Sequence, residues 1–143
     1  KRDMIDYYGI PISQINNIKN GADWTNEDGE VIPNARLVTS ADPPRSYAYM
    51  SDTRYIPNLW EKVKRVTVLY HESTYTSEQE DRAKIYNHST AKQAAMVAKA
   101  AGVGKLLLGH YSARYNDETV LLKEAKEVFE ESYLTNEGMV ISV

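Results

Sequence analysis

The chain has 143 residues, of which 42% are hydrophobic and 26% charged, and a formal net charge of −3. That length suits one domain with a real core, and the mild acidity excludes a protein that grips nucleic acid by bulk charge. The absence of cysteine excludes disulfides and thiolate metal sites, which fits a reducing compartment and an expected place in the cytoplasm.

The first residues, "KRDMIDYYGIP", contain neither an apolar signal core nor an initiator Met, as expected of a piece of a longer protein. No apolar run approaches the roughly 20 residues that would span a bilayer. Residues 3–8 and 12–19 read as short helical pieces, broken at Gly9-Ile10-Pro11, with Pro11 placed to start the second. "NGADW" and "NEDGEV" are turn signals. "ARLVTS" (35–40) and "SYAYMSD" (46–52) read as two strands of a hairpin joined by "ADPPR". "NLWEKVKR" (58–65) predicts a short helix with Leu59 and Val63 on one face. "VTVLYHES" (66–73) is β-branched and apolar enough for a strand buried on both faces. "EQEDRAKIYN" (78–87) is polar, helical or loop-like.

The next stretch is the most explicit. Thr90 and Gln93 fit a capping box, with Ser89 as an alternative cap. Ala94, Val97, Ala98 and Ala101 form a helical stripe, and Gly102 suits its C-terminal stop. "KLLLGH" (105–110) then predicts a buried strand, "DETVLLKEAKEVFEE" (117–131) an amphipathic helix, and "MVISV" (139–143) a last strand. Helices alternating with strands imply an α/β layer, in which ligands gather at the carboxyl ends of strands.

Applied here, that rule selects Asp52, His71, Glu72 and His110 at strand ends and His88 ahead of a helix. Each has an ordinary structural explanation: a turn-forming Asp, a core histidine, an ion-paired Glu. Their coincidence favours chemistry, because all three histidines fall at element ends beside two acids. Asp52 and His110 are donors suited to a divalent metal such as zinc. Glu72 and His88 suit a carboxylate–imidazole pair able to give a proton to a departing alkoxide. Ser89, Thr90 and the helix start behind them offer groups for a phosphate, and Arg114 offers a clamp on the same oxygens.

Three ordered motifs carry a resemblance. "MSDTRY" resembles the "GDTR" motif of the ribonuclease Z family, within the metallo-β-lactamase superfamily. "LYHESTY" is similar to its "HEAT" motif, with Ser73 where Ala is usual, and "NHSTAKQAAMVAKAAGVGKLLLGHYSARY" to its "HSTA-QAA" and "HFS-RY" segments, with Tyr111 for Phe. The resemblance implies an α/β fold in which residues 1–143 are the C-terminal half of an αββα sandwich, a mixed sheet with helices on one face. It implies a zinc-dependent endonuclease acting on the 3′ end of precursor tRNA. Asp52 would bridge two zinc ions, His110 would ligate one, and Glu72 with His88 would form the proton donor. The family's "HxHxDH" zinc motif is not in this sequence. The chain alone is therefore expected to be inactive, to hold zinc weakly and to self-associate through an uncovered sheet face. Two rival readings are another phosphodiesterase of the superfamily and a non-catalytic α/β binding module.

Overall fold

A computed structural model describes all residues, Lys1–Val143. The chain divides into two compact units, Lys1–Pro44 and Arg45–Val143.

The first unit holds α1 (Arg2–Tyr7), a 3₁₀ turn (Ile12–Gln14), α2 (Ile15–Lys19), the strands β1 (Trp24–Thr25) and β2 (Val31–Ile32), and α3 (Asn34–Leu37). β1 and β2 pair antiparallel, and Ile10, Ile18, Ile32 and Leu37 form a small core. The expected strand at 35–40 is absent. Asn34 instead bonds the carbonyls of Ile18 and Ala22 through its side chain and Asp23 through its backbone N–H. Those bonds start a helical turn that delivers Leu37 to the core, so local strand propensity is overridden.

In the second unit the elements are β3 (Tyr47–Met50), a 3₁₀ turn (Leu59–Val63), β4 (Val68–Glu72), a further 3₁₀ turn (Ser77–Gln79) and α4 (Glu80–Tyr86). They are followed by α5 (Ala91–Ala101), β5 (Lys105–Gly109), α6 (Thr119–Lys126) and β6 (Ser132–Leu134). The four strands form one sheet in the order β3-β4-β5-β6, parallel throughout. The expected mixed sheet thus resolves into a parallel sheet here and a separate antiparallel ribbon in the first unit. The hairpin expected at "ADPPR" does not form, because β3 pairs in parallel with β4. The expected strand at 139–143 is not one. The edge position belongs to β6, and the tail from Met139 to Val143 lines a groove with Tyr47, Tyr70 and Leu107.

Alternation along each strand separates two faces. Leu69, Leu106 and Leu108 face α5 and α6, where Ala91, Ala94, Ala95, Ala98, Leu121 and Ala125 complete the core. Small alanines let α5 lie close to the sheet. Thr90 caps α5 in a full capping box with Gln93, and Gly102 ends it at φ 62. On the other face stand Tyr47, Tyr49, Tyr70 and Leu107. Tyr49 and Tyr70 stack at 4.7 Å, and a Cβ on Gly109 would lie 2.2 Å from the Tyr70 hydroxyl. Gly109 is the residue that leaves room for that ring. No helix is long and apolar enough to cross a membrane.

Candidate metal centre

Register brings the strand ends level. Met50 is opposite His71, and Glu72 is opposite Gly109. Three loops therefore leave the same edge of the sheet, and the start of α5 joins them. Asp52 and His110 lie just beyond β3 and β5 with φ of 50 and 59, and Asn87, before His88, also has φ 59. Left-handed backbone turns the chain sharply and is uncommon outside glycine, least so for Asn, Asp and His. These residues hold it where side chains must be aimed back over the rim.

At the centre is the buried carboxylate of Glu72. Oε1 accepts from the backbone N–H of Thr53 at 2.6 Å and from His88 Nδ1 at 3.0 Å. Oε2 accepts from the Thr74 hydroxyl at 2.6 Å and the Ser89 N–H at 3.0 Å. Four donors fill the lone-pair sites that a carboxylate offers. Further bonds join the loops, from the Ser89 hydroxyl to the Thr53 carbonyl at 2.7 Å and from Ser73 to the Gly109 carbonyl.

The two imidazoles stand above this hub. The rings of His88 and His110 are 5.2 Å apart, and the Thr74 hydroxyl lies 2.9 Å from His110 Nδ1. His110 Nε2 is 3.1 Å from Asp52 Oδ1. Two tetrahedral zinc ligands at ~2.0–2.1 Å from the ion lie ~3.3 Å apart, so this pair is spaced to share one cation. His88 joins them, since ligand atoms of Asp52, His88 and His110 all lie within 4.8 Å of one another. One carboxylate and two imidazoles are a donor set for a borderline divalent metal. Sequence reasoning placed His88 only with Glu72, whereas the geometry also puts it beside the metal pair.

Other selected residues fall elsewhere. Ser89 and Thr90 are fully buried and engaged inside the protein. The N–H groups of Thr90, Ala91 and Gln93 are bonded to Gln93, Tyr75 and Thr90 respectively, so the start of α5 presents few free donors to a phosphate. Arg114 is exposed, bonded to Ser112 and Gln79, and lies 5.2 Å from the Tyr75 ring centre, with that ring in turn edge-on to His88. His71 does not join that cluster. It is buried, with Nδ1 2.7 Å from the Glu72 carbonyl and Nε2 without a partner, and burial holds its pKa below the ordinary histidine value. Sequence reasoning missed Thr53, Thr74 and Tyr75. Thr74 lies two residues past Glu72, beyond the end of β4, and its residue type alone carried no signal.

No family model matches the chain. It is 49% identical over 142 residues to the ribonuclease Z of Bacteroides fragilis strain YCH46, covering 99% of this chain and 47% of that protein. Against the ribonuclease Z of Phocaeicola vulgatus it is 47% identical over 143 residues, covering 100% and 46%. The chain spans about half the length of the curated relatives it matches. Among solved structures, the metallo-β-lactamase-fold protein YhfI from Bacillus subtilis superposes with a TM-score of 0.59 at 27% identity, covering 64% of this chain and 37% of that one. The resemblance carried by the three motifs is thus matched across the whole sequence, and the fold is of the metallo-β-lactamase kind.

Proposed function

We propose that this chain, a homologue of ribonuclease Z over about half of that protein's length, is the C-terminal part of a zinc-dependent endonuclease that cleaves precursor tRNA at its 3′ end in the cytoplasm. The observation that carries the reading is the convergence of Asp52, the Glu72–His88 pair and His110 on one end of the sheet.

Asp52 and His110 are the residues that would hold the metal. Divalent cations there neutralise phosphate charge and acidify water. His88 has its ring partly exposed, with Nδ1 anchored on the fully buried Glu72. Its free nitrogen is the proton donor to the leaving 3′ oxygen. Glu72 acts through the ring, fixing its orientation and which nitrogen faces outward. A cleft of about 430 Å³ opens beside that ring, lined by Tyr55, Ile56, Pro57, Gln93, the cations Arg54 and Lys84 and the acid Glu80, which gives room for a nucleotide and two cations for its phosphate.

With His88 kept for proton transfer, Asp52 and His110 do not make two closed metal sites. The remaining length of the relatives supplies the rest, so residues 1–143 alone are inactive and bind zinc weakly. The tyrosine face is where that other half of the sandwich packs. Tyr49 is 64% and Tyr47 52% exposed here, and the isolated chain self-associates through this surface.

The test uses the full-length protein containing this segment. Asp52→Ala and His88→Ala are each expected to lower cleavage of a trailer-bearing precursor tRNA by at least ~100-fold with an unchanged circular dichroism spectrum. Undiminished cleavage refutes the assignment. Hydrolysis of bis-p-nitrophenyl phosphate without tRNA cleavage points to a different phosphodiesterase, and no hydrolysis of either points to a binding module.

A further inference from the structure

We infer that Thr74 is a positioning residue that sets the tautomer of His110, making Nε2 the nitrogen offered to a cation. The inference concerns the metal centre proposed above, but its evidence is the hydrogen-bond pattern of the chain itself.

A threonine hydroxyl has one hydrogen to give. Thr74 Oγ1 stands 2.6 Å from Glu72 Oε2, which can only accept, so its hydrogen goes there. The same oxygen lies 2.9 Å from His110 Nδ1. With its hydrogen committed, Oγ1 can only accept from that ring, and Nδ1 must carry a proton. In the neutral ring Nε2 is then bare. It lies 3.1 Å from Asp52 Oδ1. A bare nitrogen and a carboxylate oxygen that close repel, and a cation bound by both turns the repulsion into coordination. Without Thr74 nothing holds the proton on Nδ1, and the negative charge of the Asp52 carboxylate beside Nε2 draws it there instead.

One buried carboxylate therefore orders both imidazoles. His88 bonds Glu72 directly, and His110 reaches it through one hydroxyl. Nδ1 of each ring is spent on this hub, which leaves Nε2 of His110 for a cation and Nε2 of His88 for proton transfer.

The experiment is nitrogen-15 NMR of the imidazoles in the metal-free chain, at a pH where the shifts show neutral rings, for the native protein, Thr74→Val and Thr74→Ser. The native chain and Thr74→Ser are expected to show His110 protonated on Nδ1. Thr74→Val is expected to shift the ring toward Nε2–H while leaving His88 on its native tautomer, and to weaken Co²⁺ binding by roughly 10–100-fold. An Nε2–H ring in the native chain overturns the inference even where Thr74→Val fails to fold. So does an unchanged tautomer in Thr74→Val, or the same shift in Thr74→Ser. Failure of the tRNA cleavage assay leaves these spectra unaffected, so the two readings fail separately.

Discussion

Replacing Glu72 with Gln keeps the volume of the hub and removes its charge. Each carboxylate oxygen accepts from one backbone N–H and one side chain: Thr53 and His88 on Oε1, Ser89 and Thr74 on Oε2. Whichever oxygen becomes an amide NH₂ then faces two donors. The side chains can turn away, but the backbone N–H cannot. An unsatisfied buried donor costs about 1–3 kcal/mol. The bonds left on the remaining oxygen lose their charge assistance, which adds about 1–2 kcal/mol. The sum is about 2–5 kcal/mol, against roughly 5–15 kcal/mol for the total stability of a domain. Urea unfolding followed by far-ultraviolet circular dichroism reads this as a lowered midpoint with an unchanged slope. A loss below about 1 kcal/mol would show that the four bonds do not hold Glu72 in solution.

Three further outcomes can be checked. Burial lowers the pKa of His71, so the unfolded chain takes up its proton at a higher pH than the folded one. Stability from this residue is present above its unfolded pKa of about 6.5 and is lost as pH falls through the lower folded value; His71→Gln should flatten that part of a urea-midpoint-against-pH curve. Gly109→Ala puts a methyl 2.2 Å from the Tyr70 hydroxyl and should cost about 1–3 kcal/mol by chemical denaturation, with Tyr70→Ala restoring part of the loss caused by the added methyl. Thr90→Ala removes the cap of α5 and should cost about 1–2 kcal/mol; Gln93→Ala in the same background should add less than it does alone, and full additivity would deny the reciprocal box.

What sequence could disclose followed the range of the interaction. The box at Thr90 and Gln93, the alanine stripe and the stop at Gly102 are local patterns, and α5 forms where they indicate. The strands ending at Glu72 and Gly109 were legible because apolar runs between turn signals are also local. The stretch 35–40 was misread because its helical turn depends on Asn34 reaching back to Ile18 and Ala22. The C-terminal strand was assigned to residues 139–143 because that run is apolar, whereas Ser132–Leu134 wins its place by pairing with β5. In the site, titratable side chains at element ends could be named from residue type alone. Thr74 could not, because a hydroxyl matters only once two partners are within reach, and neither partner's position is written locally.

Glu72 draws its four donors from the segments following β3 and β4 and from the turn before α5, and Thr74 ties in the segment after β5. A knot of that kind makes the rim stiff. None of these segments can swing aside as a lid without leaving a buried acid unsatisfied, so any adjustment to a bound molecule falls to groups outside the knot, such as the exposed side chains of Arg54 and Arg114.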